Sequence, residues 1–359
     1  MFNQSNLSSF FIVLFLVGIL ASCTKEELTL NETQDNAAFQ TLISETKQKA
    51  QLSAISVAEI RNGALVFSSA EDLYYARTTL LESSDNLRQE WEEKMGFTSL
   101  LTVLQNVTED MDQGLPVDQS KYTDIIDFSG EIPSLKDADM LYSSIMNGDA
   151  IVFLNDFLGT YRQDGVFWAL DGDINTLQAT IESGESIDDQ SLAYLRSKDK
   201  NIGDLKTCWS SAGSSTRYVV QKDVQNGNSR GSTKLESALE FRNDPSPQYV
   251  NGVLQHRWQL YFALSGYSYR RNCCRFKSYR DDHQFQWNFT ISAPSPLQGQ
   301  TSFSGYTVHV NNSFAAKIIN LASGYYSPST NFIIDLETVS NTYHSTDNLG
   351  STAANYSCN

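Results

Sequence analysis

The chain has 359 residues, of which 40% are hydrophobic and 19% charged, with 26 basic and 42 acidic side chains and a formal net charge of −16. That length suits about two domains of ordinary size. The charge is uneven: residues 24–200 hold 13 basic and 32 acidic groups, residues 201–359 hold 13 and 10. Such a break marks a domain boundary, and an acidic half of that size repels phosphates, which excludes nucleic acid as a partner.

The first element is an uncharged apolar run of twelve residues, Phe10 to Ala21. A bilayer span needs about 20 such residues, whereas twelve is a normal core for a signal peptide. The nine residues before it, MFNQSNLSS, carry no Lys or Arg. The sequence that follows, Leu20-Ala21-Ser22-Cys23, resembles the bacterial lipobox, in which a branched residue and two small ones precede a cysteine. The resemblance implies that residues 1–22 are a lipoprotein signal peptide and that Cys23 becomes the first residue, carrying several acyl chains. One chain anchors marginally and two or more anchor stably. Thr24 stands where an inner-membrane retention signal tends to have Asp, and Lys25-Glu26-Glu27 resembles the export signal of Bacteroidetes surface lipoproteins. The expected location is therefore the outer membrane, lipid-anchored, on the cell surface or the periplasmic face. Residues 23–36 read as the lipidated cysteine and a polar tether.

Residues 37–204 read as a mostly helical acidic domain. Ser69 with Asp72 three residues on is a near-capping box, followed by Leu73, Ala76, Leu80 and Leu81 at helical spacing. The next helix has its N-cap near Ser84 and stops at Gly96, and another runs between Thr98 and Gly114. "LKDADMLYSSIMNG" predicts a fourth, ending at Asn147-Gly148, while "AIVFLND" and "GVFWALDGD" predict short strands. The order LVF…AED…EW…GF…SL is similar to uncharacterised Bacteroidetes lipoproteins that pair a helical region with a β-rich tail. It covers about a third of the chain and brings no activity with it.

From about residue 205 the period changes to two. "KLESALEF" sets Leu235, Ser237, Leu239 and Phe241 on one face against Lys234, Glu236, Ala238 and Glu240 on the other. "LQHRWQLYFAL" and "HQFQWNFTI" alternate in the same way, and further strands are expected at "TRYVVQKD", "GYTVHV" and "NFIIDLE". Separated by Gly-, Pro- and Asn-rich turns, these predict an antiparallel β-sandwich over 205–359 with one wet face per sheet. The fold class is α+β.

Candidate chemistry is sparse. Asp171, Asp173, Asn175 and Glu182 fall at positions 1, 3, 5 and 12 of a calcium loop, but Thr176 replaces its turn glycine. A solvated turn is the competing reading, and no metal or cofactor is expected. The four histidines, His256, His283, His309 and His344, are never closer than 26 positions, which offers no zinc or nucleophile motif. Cys208, Cys273, Cys274 and Cys358 are disulfide candidates in an oxidising compartment, with Cys273–Cys274 disfavoured because adjacent Cα atoms are about 3.8 Å apart. The densest unusual stretch is residues 265–282. Its Tyr267, Tyr269, Arg270 and Arg271 combine rings that stack on sugars with guanidinium forks that hold carboxylates. A protected sheet edge, or a patch that docks the acidic half of the same chain, would use the same residues. The expected function is a non-catalytic lipoprotein, held to the membrane through Cys23, whose β-domain binds an extracellular glycan or protein. A structural lipoprotein and a hydrolase with a dispersed carboxylate pair are the alternatives.

Overall fold

The computed structural model describes residues 43–359 apart from 164, 170–171, 184–187, 190–191, 197–208, 213–216, 228–230, 251–252, 273–274, 294–298, 327–331, 336, 347–349 and 358–359. Cys23, Cys208, Cys273, Cys274, Cys358 and Asp171 therefore lie outside the described residues, as do the signal peptide and tether. No helix among the described residues is long and apolar enough to cross a membrane. The chain combines helices with sheets, and strands form the larger share. Contacts divide it after Ala50 into a short unit and a large one, residues 51–359; the elements below belong to the second.

Three helices of the acidic half begin at capping serines, two of them at the Ser69 and Ser84 that the sequence predicts. Helix α1 (Ala70–Glu82) is capped by Ser69, α2 (Asp85–Met95) by Ser84 and α3 (Leu100–Gln113) by Ser99, each hydroxyl accepting a backbone N–H of the first turn. Gly96 and Gly114 end α2 and α3 in the left-handed conformation, at φ of 67° and 74°, and satisfy the last carbonyls.

The fourth expected helix does not form. Residues 135–148 make a single 3₁₀ turn, Met140–Tyr142. Their carbonyls serve another element instead: the backbone N–H groups of Leu100 and Leu101, at the start of α3, donate to Met146 and Ser143 at 2.7 and 3.1 Å. Tyr142, Ile145 and Met146 are fully buried. Tertiary bonding has overridden local helical preference here.

The same half carries a seven-stranded mixed sheet beside its helices. It is built from β1 (Glu59–Arg61), β2 (Ala64–Phe67), β3 (Val152–Leu154), β4 (Phe157–Tyr161), β5 (Gly165–Ala169), β6 (Asp188–Asp189) and β7 (Leu192–Arg196) in the order β1-β2-β3-β4-β5-β7-β6. The strands β3 and β5 coincide with the two predicted from sequence. Asn62 and Gly63, both at positive φ, make the two-residue β1–β2 turn. Trp168 lies over Gly159, where any Cβ would approach the indole to 2.2 Å. Ala64 and Val66 face one cluster, closed by Leu177 of α4 (Ile174–Ser183), and Leu65 and Phe67 face the main core.

The second half forms two larger antiparallel sheets. The first runs β8 (Arg217–Gly227), β9 (Gly231–Val250), β10 (Val253–Asn272) and β11 (Arg275–Ser278), with β14 (Phe314–Tyr326) also paired to β10. The second runs β13-β12-β15-β16, from β12 (Asp281–Ala293), β13 (Gly299–Asn312), β15 (Glu337–Thr346) and β16 (Gly350–Ser357).

One buried core crosses residue 204. It joins Leu73, Leu80, Leu101 and Tyr142 of the helical side to Tyr261, Ala263, Phe314 and Ile318 of the sheet. The charge break separates two styles of structure without separating their cores.

Candidate functional site

The site begins with the polar face of β9. Alternation places Lys234, Glu236 and Glu240 on one face, and their register partners on β10 are Tyr267, Ser265 and Tyr261. Sequence periodicity alone makes this a wet face. In the structure it turns toward the helices, and Glu240 is only 2% exposed. The opposite face of the same strand is also covered, with Leu235 fully buried. Tyr261, Ala263, Ser265, Tyr267 and Tyr269 continue along β10, and Phe314 of β14 pairs with Tyr267. All of these but Tyr261 line a cavity of about 530 Å³, closed on the other side by α3 through Leu101, Leu104, Gln105 and Thr108 and by residues 132–135 and 138–141. Volume and mixed lining are those of a small-ligand site.

Within the floor, Tyr267 and Tyr269 stack with centroids 6.1 Å apart and planes 12° from parallel. Tyr267 also packs against Phe314, centroids 4.9 Å apart, and its hydroxyl donates to Glu236 Oε2 at 3.3 Å. Lys234 bonds Glu236 and lies 5.5 Å from the Tyr267 ring centroid. Tyr261 donates to Glu240 Oε2 at 2.6 Å. Tyr269 is half-buried and lines the cavity. Burial, with the Glu236 charge adding to it, pushes this phenol above its usual pKa.

The four predicted binding residues divide. Tyr267 and Tyr269 line the cavity. Arg270 is exposed, its guanidinium 5.5 Å from the Tyr279 ring centroid. Arg271 pairs in β10 with Phe276 of β11. Two further cations of the stretch hold the acidic helices: Lys277 donates to the Asp112 carbonyl, and Arg280 binds the Glu109 carboxylate and lies 3.9 Å from Asp85. Part of the basic stretch thus docks the same chain.

Glu236 and Glu240 were not distinguishable in the sequence. The only available signal, strand alternation, assigned them to solvent.

Asp173 does the work of a helix cap. Its carboxylate accepts from the Asn175 N–H at 2.9 Å and from Thr176 Oγ1 at 2.5 Å, and these bonds, the Thr176 hydroxyl's first, hold it below the usual carboxylate range. Asn175 lies in the first turn of α4 and Glu182 in its last. Among the described residues no three His, Cys, Asp or Glu side chains converge as a metal site.

Two histidines come together that the sequence holds 26 positions apart. His283 on β12 and His309 on β13 are register partners, both buried, each within ring contact of Phe285. A His283 ring nitrogen is 2.8 Å from the Asn312 carbonyl, and His309 Nδ1 is 2.9 Å from the Glu82 carbonyl at the end of α1.

No family model matches the chain, and no curated protein matches it. Among solved structures it is similar to the crystal structure of a DUF4848 family protein from Bacteroides thetaiotaomicron, with 11% identity over 83% of this chain and 99% of that one and a TM-score of 0.26. A likeness of that size carries no argument, and fold and site rest on this chain's own residues.

Proposed function

We propose that the protein is a non-catalytic lipoprotein, anchored at the outer membrane through acyl chains on Cys23, that binds an extracellular glycan or protein segment in the cavity above β9 and β10. In this reading the two large sheets pack as a sandwich that displays the site. One observation carries it: two stacked tyrosines, Tyr267 and Tyr269, line a cavity of about 530 Å³ beside Phe314.

The test is a glycan and peptide binding screen on the full chain and on Tyr269→Phe. If the hydroxyl serves a ligand, its removal leaves stability unchanged, while affinity falls about tenfold, the equivalent of one hydrogen bond. A variant that melts lower and binds as tightly as wild type overturns the reading. Turnover of any polysaccharide in a panel would overturn its non-catalytic part.

A further inference from the structure

We infer that the ligand of this cavity is a saccharide of about one or two units, free or at the end of a longer chain, and not a peptide segment. The inference rests on the reading of the cavity as a ligand site, and it is carried by what the walls offer for hydrogen bonding. A peptide brings one N–H and one C=O per residue, and these need partners when buried. Extended peptides find them along a free strand edge. The sheet side of the cavity has no such edge. Strand β9 is paired to β8 and β10, and β10 is paired to β9 on one side and to β11 and β14 on the other. Opposite, the backbone of α3 is bonded within its own helix, and the strand Ser134–Leu135 is two residues long.

What the sheet side presents is side chains, of the kinds that hydroxyl groups meet well. Ser265 is the register partner of Glu236, and Ser278 that of Tyr269; all four line the cavity. A serine hydroxyl donates and accepts, whereas a carboxylate only accepts. A sugar hydroxyl does both and matches either. Glu236 takes the Lys234 ammonium on Oε1 and the Tyr267 hydroxyl on Oε2. Each carboxylate oxygen carries two lone pairs, so these bonds fix the group in place without exhausting it as an acceptor. Beside these polar groups stand the near-parallel rings of Tyr267 and Tyr269, with Phe314 against the first. Such rings give the apolar C–H face of a sugar ring a flat surface to cover, with a polar tip at its margin. A volume of about 530 Å³ is that of a small-ligand site, so a longer glycan would leave its remaining units in water.

Calorimetric titration of the full chain separates the two chemistries. The probes are maltose, cellobiose, xylobiose, mannobiose, galactobiose and chitobiose, the tetrasaccharide of each, and a pool of acetylated hexapeptide amides. The expected result is that at least one disaccharide binds about tenfold tighter than the peptide pool, or better. Glu236→Gln, or Ser278→Ala if the first variant does not fold, should weaken it by about tenfold, the equivalent of one hydrogen bond. A tetrasaccharide that binds as tightly as its disaccharide identifies a chain end as the ligand, and one that binds more weakly identifies a free short sugar. A tetrasaccharide more than about tenfold tighter overturns the inference, because it would report contacts along an open groove. Two folded variants that bind the sugar like wild type also overturn it. Peptides that match or exceed every saccharide overturn it and leave the cavity reading standing, whereas a chain that binds none of the probes overturns both.

Discussion

His283 and His309 give the fold an acid-sensitive contact between α1 and the second large sheet. Burial holds His283 down at about 4 and His309 at about 3. A free histidine titrates near 6.5. Below that pH the unfolded chain takes up protons that the folded one refuses, so stability present above about pH 6.5 is lost as pH falls toward 4 and 3. The charges felt there are Asp85, Asp281, Asp282 and Lys317. Glu82 works in the other direction: burial raises its carboxyl, although Lys317 and the Ile318 N–H oppose the shift, and protonating it favours the folded state. Two histidines against one carboxyl leave a net loss, about 2 kcal/mol per histidine between pH 7 and pH 5. Urea midpoints at those two pH values should fall accordingly, and His309→Gln should flatten the dependence. An unchanged midpoint would mean that water reaches both rings.

At the scale of elements, the helices are set by caps that the sequence spells out and by a buried polar network that it does not. Arg88 on α2 binds Asp85 at 2.7 Å and Gln105 of α3 at 2.6 Å, while Glu92 accepts from the Ser99 N–H and the Thr102 hydroxyl. The Asp85 N–H donates to the Asn312 side chain at 3.2 Å, which ties the helix start to the end of β13. Removing a cap costs about 1 kcal/mol. Breaking a buried ion pair from one side costs roughly 3–5 kcal/mol, because it leaves charge without compensation. Thermal melts should therefore rank Arg88→Ala well below Ser99→Ala, and equal melting points would show that the network is hydrated. The serines before α1 and α2 and the glycines after α2 and α3 were legible because capping is local. The absent helix at 135–148 was not, because its carbonyls are claimed by α3, some 40 residues earlier in the chain.

For the whole molecule, the anchor is the testable feature. Cys23 is the sole cysteine within the signal-like region, so Cys23→Ser should release the protein from the membrane fraction or leave it unprocessed. Fractionation identical to wild type after a carbonate wash would refute the lipobox reading.

What the sequence determined by itself was what nearest neighbours and period decide: where three helices begin and two of them stop, which stretches pair as strands, and that tyrosines near 267–269 share one face. Alternation fixes that a strand has two faces, but it carries no information about what covers each of them. Only the tertiary structure decided that the polar face of β9, with Glu236 and Glu240, looks into a cavity rather than into water. Only it decided that Lys277 and Arg280 are spent on the chain's own helices, and that two distant histidines meet across one strand pair. These contacts depend on how a helical layer lies over the central strand β10, whose alternate residues Arg257, Gln259 and Tyr261 are buried along with Leu260 and Phe262. That packing is chosen by the shape of the whole buried core, which no local window of residues contains.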